Sequence, residues 1–118
     1  MFKVVRLLFF LPLCCFSKLP ESYYQMKFAN EIGGLTEVAA QDGTRCDILT
    51  ENYAIEVDFA KKWGESIGQS LHYALQFNRK AGILLILEKA SDERHLEKIK
   101  SIIVEYKLPI RVWVDRIY

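Results

Sequence analysis

TRCDILTENYAIEVDFAKKWGESIGQSLHYA, residues 44–74, holds two runs rich in β-branched and aromatic residues, CDILT and YAIEVDFA, parted by Glu51 and Asn52. Such runs read as strands, and the short polar gap reads as a hairpin turn. A symmetric turn pairs Thr50 with Tyr53, Leu49 with Ala54, Ile48 with Ile55 and Asp47 with Glu56. Asp47 and Glu56 then stand side by side on one sheet face, with Cβ atoms about 5 Å apart. Like charges so opposed repel, and a strand with only a structural task would carry Val or Ile there. A hard divalent cation turns the repulsion into binding, because it collects several carboxylate and carbonyl oxygens. Asp47 and Glu56 are therefore read as ligands of Mg²⁺ or Mn²⁺. Asp58 lies on the same face and falls opposite Arg45. It is either half of a cross-strand ion pair or a further member of the site.

After Phe59 the hydrophobic period changes from two to that of a helix. Trp63, Ile67, Leu71, Ala74 and Leu75 form the inner face of a helix within residues 61–80. Lys62, Ser66, Gln69 and Tyr73 share a neighbouring stripe, from which Lys61 is excluded. Upstream, PESYYQMKFANEIGG predicts a helix with Pro20 near its start, Gly33 past its end and a stripe of Tyr24, Phe28 and Ile32. LTEVAA is a short strand, and Asp42-Gly43 makes the turn after it. Downstream, GILLILE has no alternation and so predicts a central strand covered on both faces. SDERHLEKIKSIIVEYKL is a helix opened by Ser91 as N-cap and stopped by Pro109, and IRVWVDRIY is a last strand. The order αβββαβαβ implies an antiparallel meander followed by two helical crossovers. The fold class is α/β of the α+β kind, a mixed sheet flanked by helices.

This order, with the residues placed on it, resembles the PD-(D/E)XK nuclease superfamily. Asp47 matches the family's strand aspartate, and Glu56-Val57-Asp58 matches its (D/E)-x-K tripeptide. Gln69 and Tyr73 are similar to the Q-x-x-x-Y helix signature of the RecB-like branch, and Glu31 falls where several branches place an additional acid. The resemblance covers residues 21–88 and, through an added αβ, the remainder of the chain. It implies a restriction-endonuclease-like αβββαβ core and a Mg²⁺ or Mn²⁺ ion held by Asp47, Glu56, the Val57 carbonyl and Glu31. It also implies hydrolysis of phosphodiesters, in DNA by expectation, with Gln69, Tyr73 and Arg45 against the substrate. The tripeptide's lysine position is Asp58 here. Lys62 is the lysine placed to have migrated, joining Asp47, Glu56 and Asp58 as a catalytic residue, with Lys61 in reserve. The alternative is a catalytically inactive nuclease-fold protein that binds nucleic acid or serves as an accessory. A homodimer is implied where both strands are cut.

The totals set the outer limits. A chain of 118 residues is one domain's worth, and 51% hydrophobic with 26% charged residues excludes a disordered tract. The net charge of +1 excludes a polybasic protein, so any contact with nucleic acid must use a local patch. MFKVVR followed by LLFFLPLCCF has the head and apolar run of a signal peptide, expected to occupy residues 1–17. Residues 18–118 would then be a single exported domain, periplasmic or secreted. A cytoplasmic location is the alternative. The apolar run is too short for a stable membrane span. Of three cysteines only Cys46 would remain, which excludes a disulfide scaffold and a cysteine-held zinc in the mature chain. His72 and His95 fit no triad or zinc spacing and are expected at the surface. Trp63 and Trp113 are expected as core anchors.

Overall fold

Residues 18–118 are described by a computed structural model, and the expected signal peptide, residues 1–17, lies outside them. Helix α1 (Glu21–Ile32) follows Pro20 and ends where Gly33 turns left-handed at φ 74°. Three strands come next: β1 (Leu35–Ala39), β2 (Arg45–Leu49) and β3 (Tyr53–Phe59). A short 3-10 turn (Ala60–Lys62) leads into α2 (Trp63–Phe77), then β4 (Lys80–Leu87), α3 (Glu93–Glu105) and β5 (Ile110–Arg116). The five strands form one mixed sheet in chain order. The pairs β1–β2 and β2–β3 are antiparallel, whereas β3–β4 and β4–β5 are parallel. This is the α+β architecture read from the sequence. No helix of the described residues is long and apolar enough to cross a membrane.

Strand β4 explains its own lack of alternation. Ile83, Leu85 and Leu87 pack with Leu96 and Ile99 of α3 and with Trp63, Ile67 and Leu71 of α2. Leu84 and Ile86 face the other layer, with Tyr24 and Ala29 of α1 and Ile55 and Val57 of β3. Both faces are covered from Ala81 onward, so every position after the exposed Lys80 is apolar. Gly82 is the exception, and its missing side chain is filled by the Trp113 ring, which lies where a Cβ would stand.

Three local expectations fail. Leu75 is 79% exposed, because the buried line of α2 is centred on Ser66, Ser70 and Tyr73 rather than on the larger apolar residues. The two serines are fully buried, and their small size brings the helix close to the sheet. Ile32 is exposed at the end of α1, where the chain turns away at Gly33 and leaves Tyr24, Gln25 and Ala29 as the buried contacts. Ser91 does not cap α3. The helix runs on from a 3-10 turn (Ala90–Asp92) without a side-chain cap, and the Asp92 carboxylate instead reaches back to accept the Glu88 and Lys89 amides at 2.9 and 3.3 Å.

Candidate functional site

The hairpin register is the symmetric one: Ile48 pairs with Ile55 and Leu49 with Ala54. Beyond Ile48 the ladder stops, and β2 parts from β3. The Asp47 carboxylate replaces the lost backbone bond by accepting the Val57 N–H at 2.8 Å. On its other side β2 is also interrupted. Thr36 pairs with Ile48 and Val38 with Cys46, but Glu37 between them is left-handed, at φ 54°. Gln25 of α1 bridges the gap. Its amide nitrogen donates to the Asp47 carbonyl at 3.0 Å and to the Glu37 carboxylate at 2.7 Å. Asp47 is thus fixed at both ends, by a helix through its backbone and by a strand through its side chain.

Gln25 is buried, so removing it strands two acceptors. Gln25→Ala should cost about 1–2 kcal/mol, lowering the melting midpoint by several degrees in a thermal scan. Gln25→Glu should do worse, because it adds a charge beside Glu37.

Glu56 and Asp58 are buried on β3 at 7% and 4% exposure. Burial, then the charge of Asp47 and of Asp58, pushes Glu56 far above the usual carboxylate range, to about 10. Burial also raises Asp47 to about 6 and lifts Asp58, although the Val57 amide and the Ser66 hydroxyl oppose those two shifts. Glu56 therefore keeps its proton at neutral pH, and that one hydrogen can be donated to either flanking carboxylate, Asp47 or Asp58, but not to both at once. Ser66 Oγ lies 2.6 Å from Asp58 and 2.9 Å from the Lys62 carbonyl. The expected repulsion is present and is relieved in part by the proton on Glu56.

Of the residues read as site members, the structure brings together Asp47, Glu56 and Asp58, with Val57 between them giving its amide to Asp47. Lys62 is exposed, yet its charge acts on both Asp58 and Glu21. Tyr73 is buried and reaches Thr44, feeling the charges of Glu56 and Asp47. The others lie elsewhere. Gln69 is exposed: of the stripe it shares with Lys62, Ser66 and Tyr73 turn inward beside Ser70, while Lys62 and Gln69 stay outside. Arg45 makes no ion pair with Asp58, because the strands have parted before they reach each other; its guanidinium meets the Glu37 carbonyl at 3.5 Å instead. Glu31 sits in the last turn of α1, beside Lys27, Trp113 and Asp115, at a cleft separate from the acids. The helix acid that does join them is Glu21, in the first turn. Burial and then the Asp58 charge raise it, and it faces the Phe59 amide. Lys61 points away to the cavity beyond β4. His95 is not a surface residue: its side chain is 14% exposed. His72 is half-exposed and meets Asp42 at 2.7 Å.

Sequence reading missed Gln25, Glu21, Glu37 and Ser66 as working parts. Glu21 carries a signal in retrospect, as an acid in the first turn of a helix that must cover the strand ends. Gln25 carries none, because nothing local marks which glutamine meets a broken ladder.

The donor set is hard oxygen and suits Mg²⁺ or Mn²⁺ in kind. As the side chains stand, no group of three or more His, Cys, Asp or Glu among the described residues is disposed to hold a metal ion. Glu56 stands between the Asp47 and Asp58 carboxyls with its proton retained. A cation entering here has to displace that proton.

No protein-family model matches the chain, and no solved structure matches it significantly. Among curated proteins it is similar to two KilA-N domain-containing proteins of Acanthamoeba polyphaga mimivirus, at 24% and 28% identity over 93 residues each. The similarity takes in 79% of this chain but only 25% and 37% of those relatives, so the chain spans a quarter to somewhat over a third of their length.

Proposed function

We propose that this domain binds nucleic acid as an accessory module of nuclease-like build, with the carboxyl centre as its point of approach to a phosphate. The likeness to KilA-N domain-containing viral proteins favours nucleic-acid binding over any unrelated role. The observation that carries the choice of binding over cleavage is Asp58. It occupies the place where the resembling nucleases keep a lysine, it is buried, and it is engaged by Ser66. A centre of three acids, of which Glu56 keeps its proton at neutral pH, offers a phosphate little unless a divalent cation enters first. In that event Asp47 and Glu56 would hold it, and the ion would supply charge neutralisation and an activated water. The charge of Lys62 acts on the same place, on Asp58 and Glu21.

That last feature supports a second reading, a metal-dependent phosphodiesterase in which Lys62 replaces the tripeptide lysine. The two readings separate in one pair of measurements. Fluorescence anisotropy with labelled single-stranded DNA, duplex DNA and RNA should show salt-sensitive binding to at least one of them. Plasmid nicking in Mg²⁺ or Mn²⁺ should be absent. Nicking that disappears in both Asp47→Ala and Lys62→Ala would replace the accessory role with the hydrolytic one. Failure to bind any of the three nucleic acids, with folding verified by circular dichroism, sinks both.

A further inference from the structure

Beyond the end of β4 lies a cavity of about 200 Å³ that the carboxyl centre does not use. Four cations line it, Lys18, Lys61, Lys89 and Arg94, against two carboxylates, Glu88 and Asp92. Both acids are already committed. Glu88 meets Lys18 at 2.9 Å, and the buried Asp92 accepts two backbone amides. Lys61, Lys89 and Arg94 are exposed and have no carboxylate within 4 Å among the described residues. They come from three segments: the turn after β3, the link that follows β4 and the first turn of α3.

His95 is in the wall of the same cavity. Its Nε2 stands 3.9 Å from Asp92, while its buried Nδ1 has no hydrogen-bond partner among the described residues. Buried polar atoms without partners are rare in native proteins. Three cations without a carboxylate partner converge on a space that an anion rich in oxygen acceptors would satisfy.

Position links this cavity to the acids. Lys61 lines it, while the next residue, Lys62, acts on Asp58. Asp58 pairs with Leu85, and β4 ends two residues later at Leu87, about 7 Å along the strand. We infer that this basic cavity seats a backbone phosphate of a nucleic acid whose chain continues over the Ala60–Lys62 turn to the carboxyl centre. The inference rests on the nucleic-acid reading above and adds where the backbone is gripped. It also answers how a chain with a net charge of only +1 attracts a polyanion: the attraction is local.

The test is an anisotropy titration of short labelled single-stranded and duplex DNA across a salt series, with the natural chain and K61E/K89E/R94E. The triple variant should bind at least tenfold more weakly, and its log–log salt slope on duplex should shrink by about 2–3. Its circular dichroism melt should match the natural chain, since all three side chains are exposed. If the triple variant is unstable, Lys61→Ala and Arg94→Ala replace it, each expected to lower the slope by about 1. Unchanged affinity and slope in the variants overturn the phosphate seat while leaving nucleic-acid binding intact. Displacement of DNA by polyglutamate at equal charge assigns the cavity to an acidic protein partner and also overturns it. A natural chain that binds none of the oligonucleotides removes both proposals together.

Discussion

At pH 8, Glu56→Gln is expected to melt about 10 °C above the natural protein. The folded chain holds a hydrogen on Glu56 that the unfolded chain releases near the ordinary carboxylate value. Folding at neutral pH therefore requires uptake of a proton. A carboxyl raised in this way contributes stability that is complete below about 4.5 and drains away as the pH climbs toward about 10. Each pH unit in that window removes up to about 1.4 kcal/mol, so the penalty at neutral pH is about 2–3 kcal/mol, allowing for sharing within the triad. Glutamine keeps the shape, donates two hydrogen bonds without a titrating proton and lets Asp47 and Asp58 ionise. The variant should thus be more stable at pH 8 than the natural chain and nearly equal to it at pH 5. Mn²⁺ or Mg²⁺ should raise the natural chain's midpoint, by an amount set by the excess over its dissociation constant, and leave the variant's unmoved. Circular dichroism melts at the two pH values, with and without metal, check all of this. A variant that melts below the natural chain at pH 8 would show that the triad is not strained by its charges.

Gly82→Ala is expected to destabilise the protein by about 2–3 kcal/mol, an overpacking cost. A Cβ at residue 82 would stand 2.7 Å from one Trp113 ring carbon and 3.1 Å from an Ile55 side-chain carbon. The ring cannot retreat easily. Phe28 and Tyr53 meet it edge-on at 5.5 and 5.1 Å, and the Arg111 guanidinium covers it at 4.5 Å. Trp113→Phe removes the clashing carbons and should recover part of the loss in the double variant, giving a coupling energy that separates this contact from a general strand defect. Denaturant titrations of the two single variants and the double variant supply the cycle. Additive costs would mean that the ring and the glycine do not meet.

The element order and the hairpin register were legible because hydrophobic period and turn chemistry are local. The pairing of Ile48 with Ile55 needs only the length of the Thr50–Tyr53 turn, and the uniform apolarity of β4 announces a strand covered on both faces. The three strand acids were legible for the same reason, since alternation alone puts Glu56 and Asp58 together. What failed depends on contacts between distant segments. Extending the register to place Arg45 opposite Asp58 assumed an unbroken ladder, but β2 turns aside at Asp47. Leu75 and Gln69 were misplaced because the inward direction of α2 is set by two buried serines, which a search for large apolar residues passes over. Glu31 came from the resemblance alone, and only the packing of α1 decides that Glu21, at its other end, is the acid that covers the site.

The left-handed backbone at Glu37 has a consequence for solubility. Strand β1 is an outer strand, so its free side could template further strands and seed fibrils. With the middle residue turned out of the extended conformation, an incoming strand would find only Leu35–Thr36 on one side and Val38–Ala39 on the other. Neither stub is long enough to anchor a growing stack. The same twist that lets Gln25 grip Asp47 leaves the margin of the sheet unfit for polymerisation.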